Sequence, residues 1–179
     1  RDNLRHRDDI EEAYLDAIEN AREEIIIANA YFFPGIGFRR ALVAAAARGV
    51  KVKLMLQGRV EYRWLHHATR ALYGSLLAGG VEIIEYHKSF MHAKVAVIDG
   101  DWATVGSSNI DPFSFMLSRE ANIIVRDARF SAQLRHSLLA AIHDGAVPVD
   151  LSEWKQRPLL ERLMAWLAYG SARFILGTL

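Results

Sequence analysis

Three short runs rich in isoleucine, valine and leucine recur along the chain with a helix-sized spacer between each pair: "EIIIANA" (Glu24 to Ala30), "VKVKLMLQ" (Val50 to Gln57) and "VEIIEY" (Val81 to Tyr86). Runs of this length and β-branched content read as strands, and their apolar density implies a sheet covered by other elements. The spacers have the matching pattern. Asp8 and Asp9 stand before "IEEAYLDAIENAREE", where Ile10, Ala13, Tyr14, Ala17, Ile18 and Ala21 share one helical face. Acidic residues fill its first turn, as the helix dipole favours. "GFRRALVAAAARG" follows Pro34 and Gly35 and stops at Gly49, a natural residue just past a helix end. A third helical stretch runs from about Arg63 to Leu77 before Gly79 and Gly80, and a fourth from about Ala128 to Asp144. Such alternation predicts an α/β sandwich with a largely buried sheet.

Further strands are expected over Ala93 to Ile98, Trp102 to Val105 and Ala121 to Arg126. "DGD", Asp99 to Asp101, forms a tight hairpin between the first two and makes the sheet mixed. Length bounds the rest: 179 residues suit one domain with a substantial core. Lysine and arginine number 22 against 21 for aspartate and glutamate, so net charge gives no reason to expect a nucleic-acid channel. The absence of cysteine excludes disulfides and thiolate metal sites. The sequence opens at Arg1 without a methionine and enters a helical pattern almost at once, which predicts a piece of a longer protein. Any targeting segment would then lie outside it.

The end of the chain differs, and suggests a division into a domain over 1–147 and an apolar helical tail over 148–179. The tail reads "VDLSEWKQRPLLERLMAWLAYGSARFILGTL" after Pro148. Glu161, Arg162 and Arg173 interrupt it and Gly170 with Ser171 weakens a continuous helix, so the roughly 20 apolar residues of a membrane span are not reached. Two readings stay open. The tail packs on the domain or on a partner, or it lies in a lipid interface with Trp154 and Trp166 near headgroup level.

Chemistry concentrates in "SFMHAKVAVIDGDWATVGSSNID", Ser89 to Asp111. His92 and Lys94 are two apart on a strand and share a face. The hairpin returns Gly106, Ser107 and Asn109 to the neighbourhood of His92. An ammonium, a hydroxyl, an amide and backbone N–H groups at a glycine turn suit phosphate oxygens. An imidazole beside them can attack phosphorus or exchange a proton with an alkoxide. One His-x-Lys pair would be unremarkable, since a lysine at a strand end commonly extends its charge to water.

The whole pattern, His-x-Lys-x4-Asp-x6-Gly-Ser-x-Asn, resembles the signature of the phospholipase D superfamily. The resemblance implies an α/β/α sandwich and an active site built from two copies of the motif, in two similar halves of one chain or in two identical subunits. One histidine becomes a phosphohistidine; the other protonates the leaving alcohol and activates the acceptor, with no metal or other cofactor. It implies that His92 is one of the pair, that Lys94, Ser107 and Asn109 hold phosphate oxygens, and that Asp99, within the catalytic motif, supports local structure. Glu120 sits where relatives carry a carboxylate that accepts a hydrogen bond from the histidine ring, orienting it and stabilising its charged form.

A narrower resemblance spans nearly the whole chain. "HRDDIEEAYLDAIENAREEIIIANAYFFPG", "AAARGVKVKLMLQG", "DWATVGSSNIDPFS" and "EANIIV" are similar to the C-terminal half of bacterial cardiolipin synthases, B type. This implies transfer of a phosphatidyl group from phosphatidylglycerol to an alcohol acceptor, a second motif-bearing half as partner, and a peripheral place on the cytoplasmic side of the bacterial inner membrane. Tyr31, Phe32, Phe33 and Phe113, with Phe115 and Met116, are expected to border a lipid cleft or to be buried packing. Arg39, Arg40, Lys51 and Lys53 can attract anionic lipid, although solvation at the surface is the simpler account. The competing reading is a phospholipase D-like endonuclease acting as a homodimer, with the same catalytic residues.

Overall fold

The computed structural model describes residues 9–60, 63–112, 114, 119–156 and 158–176. Among these, seven strands occur: β1 (Glu24–Asn29), β2 (Lys51–Gln57), β3 (Glu82–Tyr86), β4 (Lys94–Ile98), β5 (Trp102–Gly106), β6 (Asn122–Arg126) and β7 (Ala146–Pro148). They form one sheet in the order β6-β5-β4-β1-β2-β3-β7. β1, β2 and β3 are parallel, while β4, β5, β6 and β7 join their neighbours antiparallel. The helices are α1 (Asp9–Asn20), α2 (Ile36–Ala47), α3 (Arg63–Ala78), α4 (Ala128–Gly145), α5 (Leu151–Lys155) and α6 (Leu159–Leu176).

Alternation along β1 builds both layers. Ile25 and Ile27 enter a core shared with Tyr14 and Ile18 of α1, Phe38 and Leu42 of α2, and Leu72 and Leu76 of α3. Ile26 and Ala28 point the other way, toward Leu138 of α4. All four strand residues are fully buried. Each isoleucine so placed contributes about 1.5–3 kcal/mol relative to exposure. The result is an α/β/α sandwich around a mixed sheet, as the sequence pattern predicts.

Two details differ from the sequence reading. The short strand β7, "AVP", pairs with β3 through Ile84 and Pro148 and had no apolar run to reveal it. Its proline is tolerated because β7 is an edge strand. It spans position 147/148, so the sheet extends to the first residue of the tail. The tail itself lies on α3, where Trp154 packs on Tyr73 with ring centroids 5.1 Å apart and Ala168 enters the main core. No described helix is long and apolar enough to cross a membrane.

The β4–β5 hairpin turns at Asp99 (φ 51°) and Gly100 (φ 79°), both left-handed, a conformation that glycine and aspartate tolerate best. The Asp99 carboxylate does a second task there. It accepts the backbone N–H groups of Arg22, Glu23 and Glu24 at 2.7, 2.8 and 3.0 Å, fastening the hairpin to the start of β1. Asp99→Ala leaves three donors without this acceptor and puts a less tolerant residue at positive φ, so it should lower unfolding free energy by about 1–3 kcal/mol. Asp99→Asn, which keeps the turn, should lose less. Urea unfolding of both variants checks this. Reduced kcat with an unchanged urea midpoint would instead give Asp99 a part in the chemistry.

Candidate active site

β1 and β4 are antiparallel and Asn29 is paired with Lys94. The end of β1 and the start of β4 therefore meet at the same end of the sheet's central strands, and the polar motif residues collect there. His92 lies just before β4 with an exposed side chain. Its ring stands edge-on to Tyr31, with centroids 6.3 Å apart. No hydrogen bond to the imidazole is made by another described residue. Lys94 is only 6% exposed, and its Nζ donates to the His92 carbonyl at 3.1 Å. That bond satisfies part of a buried ammonium and turns it toward the histidine.

The other half of the motif is held by the β5–β6 ladder. The Ser107 N–H donates to the Ala121 carbonyl at 3.0 Å, and the Ser107 hydroxyl accepts the Ala121 N–H at 3.1 Å. The same hydroxyl donates to the Glu120 carboxylate. This differs from the expectation that Glu120 accepts from the His92 ring. The ladder places Ser107 beside Glu120, and the hydroxyl takes the carboxylate oxygen. Gly106 is required by contact: an added Cβ would lie 2.0 Å from Asn122 Oδ1 and 2.5 Å from the Ala121 carbonyl oxygen. Any larger residue must push β5 and the start of β6 apart.

Three amides surround the 106–110 turn. Asn29 Oδ1 accepts the Ile110 N–H at 3.2 Å and Asn122 Oδ1 accepts the Ser108 N–H at 3.3 Å. Asn29 Nδ2, Asn122 Nδ2 and Asn109 Oδ1 are each buried with no hydrogen-bond partner among the described residues. Buried polar atoms are rarely left so. Two unpaired NH2 groups, and a third if the Asn109 amide is turned over, offer donors to an anionic oxygen. Asn29 and Asn122 were missed by the sequence reading. The signal was available for Asn29, the polar residue that interrupts the apolar run after Glu24 in "EIIIANA".

The segment after β1 ties the two parts together. The Ala30 N–H donates to Ala93 at 2.9 Å, beside His92, and the Phe33 N–H donates to Ile110 at 2.7 Å, beside Asn109. Those bonds turn Phe32 and Phe33 inward, so that of the two readings, bordering a lipid cleft or buried packing, these two side chains follow the second. They are 1% and 2% exposed, Phe32 packing on Phe38 and Phe33 on Tyr169. Tyr31 alone of the three borders the site. Phe113, Phe115 and Met116 lie outside the described residues. Asp99 is at the opposite end of β4 from Lys94, so the fold does not bring it to the His92 side.

The loop leading into His92 is braced from outside. Arg59 donates to the carbonyls of His87 and Lys88, each at 2.7 Å. Lys88 in turn pairs with Asp144 of α4. The hydrogen bond and charge of Lys88 hold the Asp144 carboxyl below its ordinary value, and the same contact raises Lys88. Among the described residues no group of three or more His, Asp or Glu is placed to hold a metal ion.

The family model described as "Cardiolipin synthase, PLD-like domain" matches residues 14–141, which include every element of this site. The chain belongs to the cardiolipin synthase, phospholipase D-like family. Among members of this family, cardiolipin synthase B of Escherichia coli (strain K12) is 49% identical over 150 residues, covering 84% of this chain and 36% of the relative. The cardiolipin synthase of Geobacillus thermodenitrificans is 34% identical over 155 residues, covering 87% of this chain and 31% of the relative. The chain thus spans about a third of the length of these cardiolipin synthases, 36% of one and 31% of the other. In solved structures the fold recurs in Nuc of Salmonella typhimurium, a phospholipase D family member, with TM-score 0.67 at 23% identity over 78% of this chain and 90% of that one. It recurs again in phosphatidylserine synthase of Haemophilus influenzae, with TM-score 0.73 at 10% identity over 95% of this chain and 44% of that one.

Proposed function

We propose that this domain is one catalytic half of a phosphatidyltransferase that makes cardiolipin from phosphatidylglycerol and an alcohol acceptor. The observation that carries the reading is that β4 pairs with β5 so that His92 and Lys94, at the start of β4, lie at the same end of the sheet as Ser107 and Asn109, just after β5, in a chain 49% identical to a cardiolipin synthase. Lys94 and the surrounding amides hold the non-bridging oxygens of the phosphodiester. Ser107, whose hydroxyl is anchored by Glu120, adds a further contact.

One histidine of a pair attacks phosphorus with a ring nitrogen, forming a P–N bond as the P–O bond to glycerol breaks. The other gives its proton to the departing oxygen. It then removes the proton of the acceptor hydroxyl, whose oxygen displaces the phosphohistidine nitrogen. His92 supplies one of these two imidazoles, and a second motif-bearing half supplies the other, either within a longer chain or from a second subunit. The enzyme works peripherally at the cytoplasmic face of the inner membrane.

The test uses the full-length protein that contains this half. Incubation with phosphatidylglycerol vesicles should yield cardiolipin and glycerol in equal amounts, while single-stranded DNA is left intact. DNA cleavage without lipid transfer would replace this reading with that of a homodimeric endonuclease.

A further inference from the structure

A second polar feature lies away from His92. Between α3, α5 and α6 is a cavity of about 320 Å³ whose walls combine Trp154, Trp166 and Tyr169 with Arg39, Arg70 and Lys155, and among the described residues no carboxylate lines it. Arg70 is neutralised from behind by Glu85 at 3.3 Å, and lies over the Trp154 ring at 5.5 Å. Arg39 is not. Its Nη2 donates to the Tyr169 hydroxyl at 3.1 Å, its Nε is buried with no hydrogen-bond partner, and no described acidic residue pairs with it. Lys155 likewise meets no described carboxylate. The cavity therefore carries uncompensated positive charge next to aromatic walls.

The helix forming one wall is inverted relative to an ordinary surface helix. α6 turns small residues inward, Ala165 and Ala168 being 7% and 9% exposed. Outward it presents Leu163, Trp166, Leu167 and Phe174, at 55%, 60%, 60% and 89% exposure. Positions 163, 166, 167 and 174 fall on one stripe of a helix. Trp166 belongs to both features, since it lines the cavity and stands in the stripe. The C-terminal half of α6 also reaches toward the end of the sheet that carries the motif residues. Ser171 accepts from Trp64 Nε1 at 3.0 Å beside the first turn of α3, and Tyr169 packs on Phe33 at 5.6 Å.

We propose that this face is a docking site for an anionic phospholipid bilayer. The α6 stripe enters the acyl boundary, and the cavity takes a lipid headgroup phosphate against Arg39 and Lys155. An apolar helix face flanked by cations and interfacial tryptophan is what such a surface requires, and the charge complements an anionic lipid in particular. The inference rests on the phosphatidyltransferase reading only for its purpose, which is to hold the motif end of the sheet against the membrane that contains the substrate. Binding itself needs no turnover.

The test is sedimentation of the full chain with vesicles of phosphatidylglycerol or of phosphatidylcholine, with tryptophan quenching by brominated acyl chains as a second readout. The wild-type chain should prefer phosphatidylglycerol, and its tryptophans should be quenched. The double variant Trp166→Glu with Leu167→Glu should bind both vesicles more weakly by about tenfold or more, because two exposed apolar side chains no longer enter the bilayer. Arg39→Gln with Lys155→Gln should remove the preference for phosphatidylglycerol while weak binding to phosphatidylcholine persists. His92→Ala should bind as the wild type does, so this result stands apart from failure of the catalytic reading. Equal wild-type binding to the two lipids would overturn the headgroup site. Unchanged binding of the glutamate variant would overturn the stripe. Absence of vesicle binding, with the stripe needed instead for association with the rest of the full-length protein, would make the face a protein interface and overturn the proposal as a whole.

Discussion

His92→Ala should reduce cardiolipin formation by about 10²–10⁴-fold or more in the full-length protein, since loss of positioned proton transfer alone has that size. The same substitution should leave stability almost untouched. The side chain is exposed, makes no hydrogen bond to a described residue, and meets only the edge of Tyr31 within ring-contact range. Surface replacements of this kind stay within about 0.5 kcal/mol. The two measurements together make the result specific: conversion of radiolabelled phosphatidylglycerol collapses while the thermal midpoint does not move. Added free imidazole should restore part of the rate, because the vacated site is open to solvent. A His92→Ala protein that retained most of its activity would remove His92 from the chemistry, whatever the motif suggests.

The second large effect is structural. Phe38→Ala should cost about 3–5 kcal/mol of unfolding free energy, the range for deleting a buried aromatic ring. Phe38 is fully buried between Tyr14, at 5.8 Å, and Phe32, at 6.5 Å. It joins α1, α2 and the segment after β1. Against a typical total of about 5–15 kcal/mol this is a large fraction. Phe38→Leu should recover more than half of the loss by refilling most of the volume. Urea unfolding of the two variants checks both figures. A cost under about 1 kcal/mol for the alanine would mean that α2 closes over the gap and that Phe38 is not a keystone of the core. Because Phe32 rests on Phe38 and is bridged to Ile110, activity should fall in Phe38→Ala at temperatures where the protein is still folded.

Most of the sandwich was legible because its elements obey local rules. The apolar runs have no alternative to burial, and the helices between them begin and end at recognisable residues such as Gly49 and Gly80, both at positive φ. The polar motif was legible for the opposite reason, as it breaks those rules. What escaped depends on contacts between distant parts of the chain. Phe32 and Phe33 could be read from sequence as a lipid-facing loop or as packing, and only the distant Ile110 decides for packing; Glu120, expected beside the His92 ring, meets the Ser107 hydroxyl across the β5–β6 ladder. β7 escaped because three residues carry no periodicity. Asn29 showed its oddity in sequence, whereas its partner Ile110 is 81 residues away.

On the proposed function, that distance has a consequence for when this domain can act. The β4–β5 hairpin joins neighbouring residues and can form early, but by itself it does not make a phosphate site. The β4–β5 pairing brings the start of β4 to the end of β5, but the chain on either side of the motif is held from elsewhere: Ala93 by Ala30, and Ile110 by Phe33 and by Asn29 of β1, the central strand of the sheet. Contacts of such separation close late in folding, after the local elements exist. Catalytic competence is therefore a property of the finished sheet. On the proposed function, a nascent or partly unfolded chain carrying an intact histidine and lysine should show no phosphatidyl transfer until the sheet is complete.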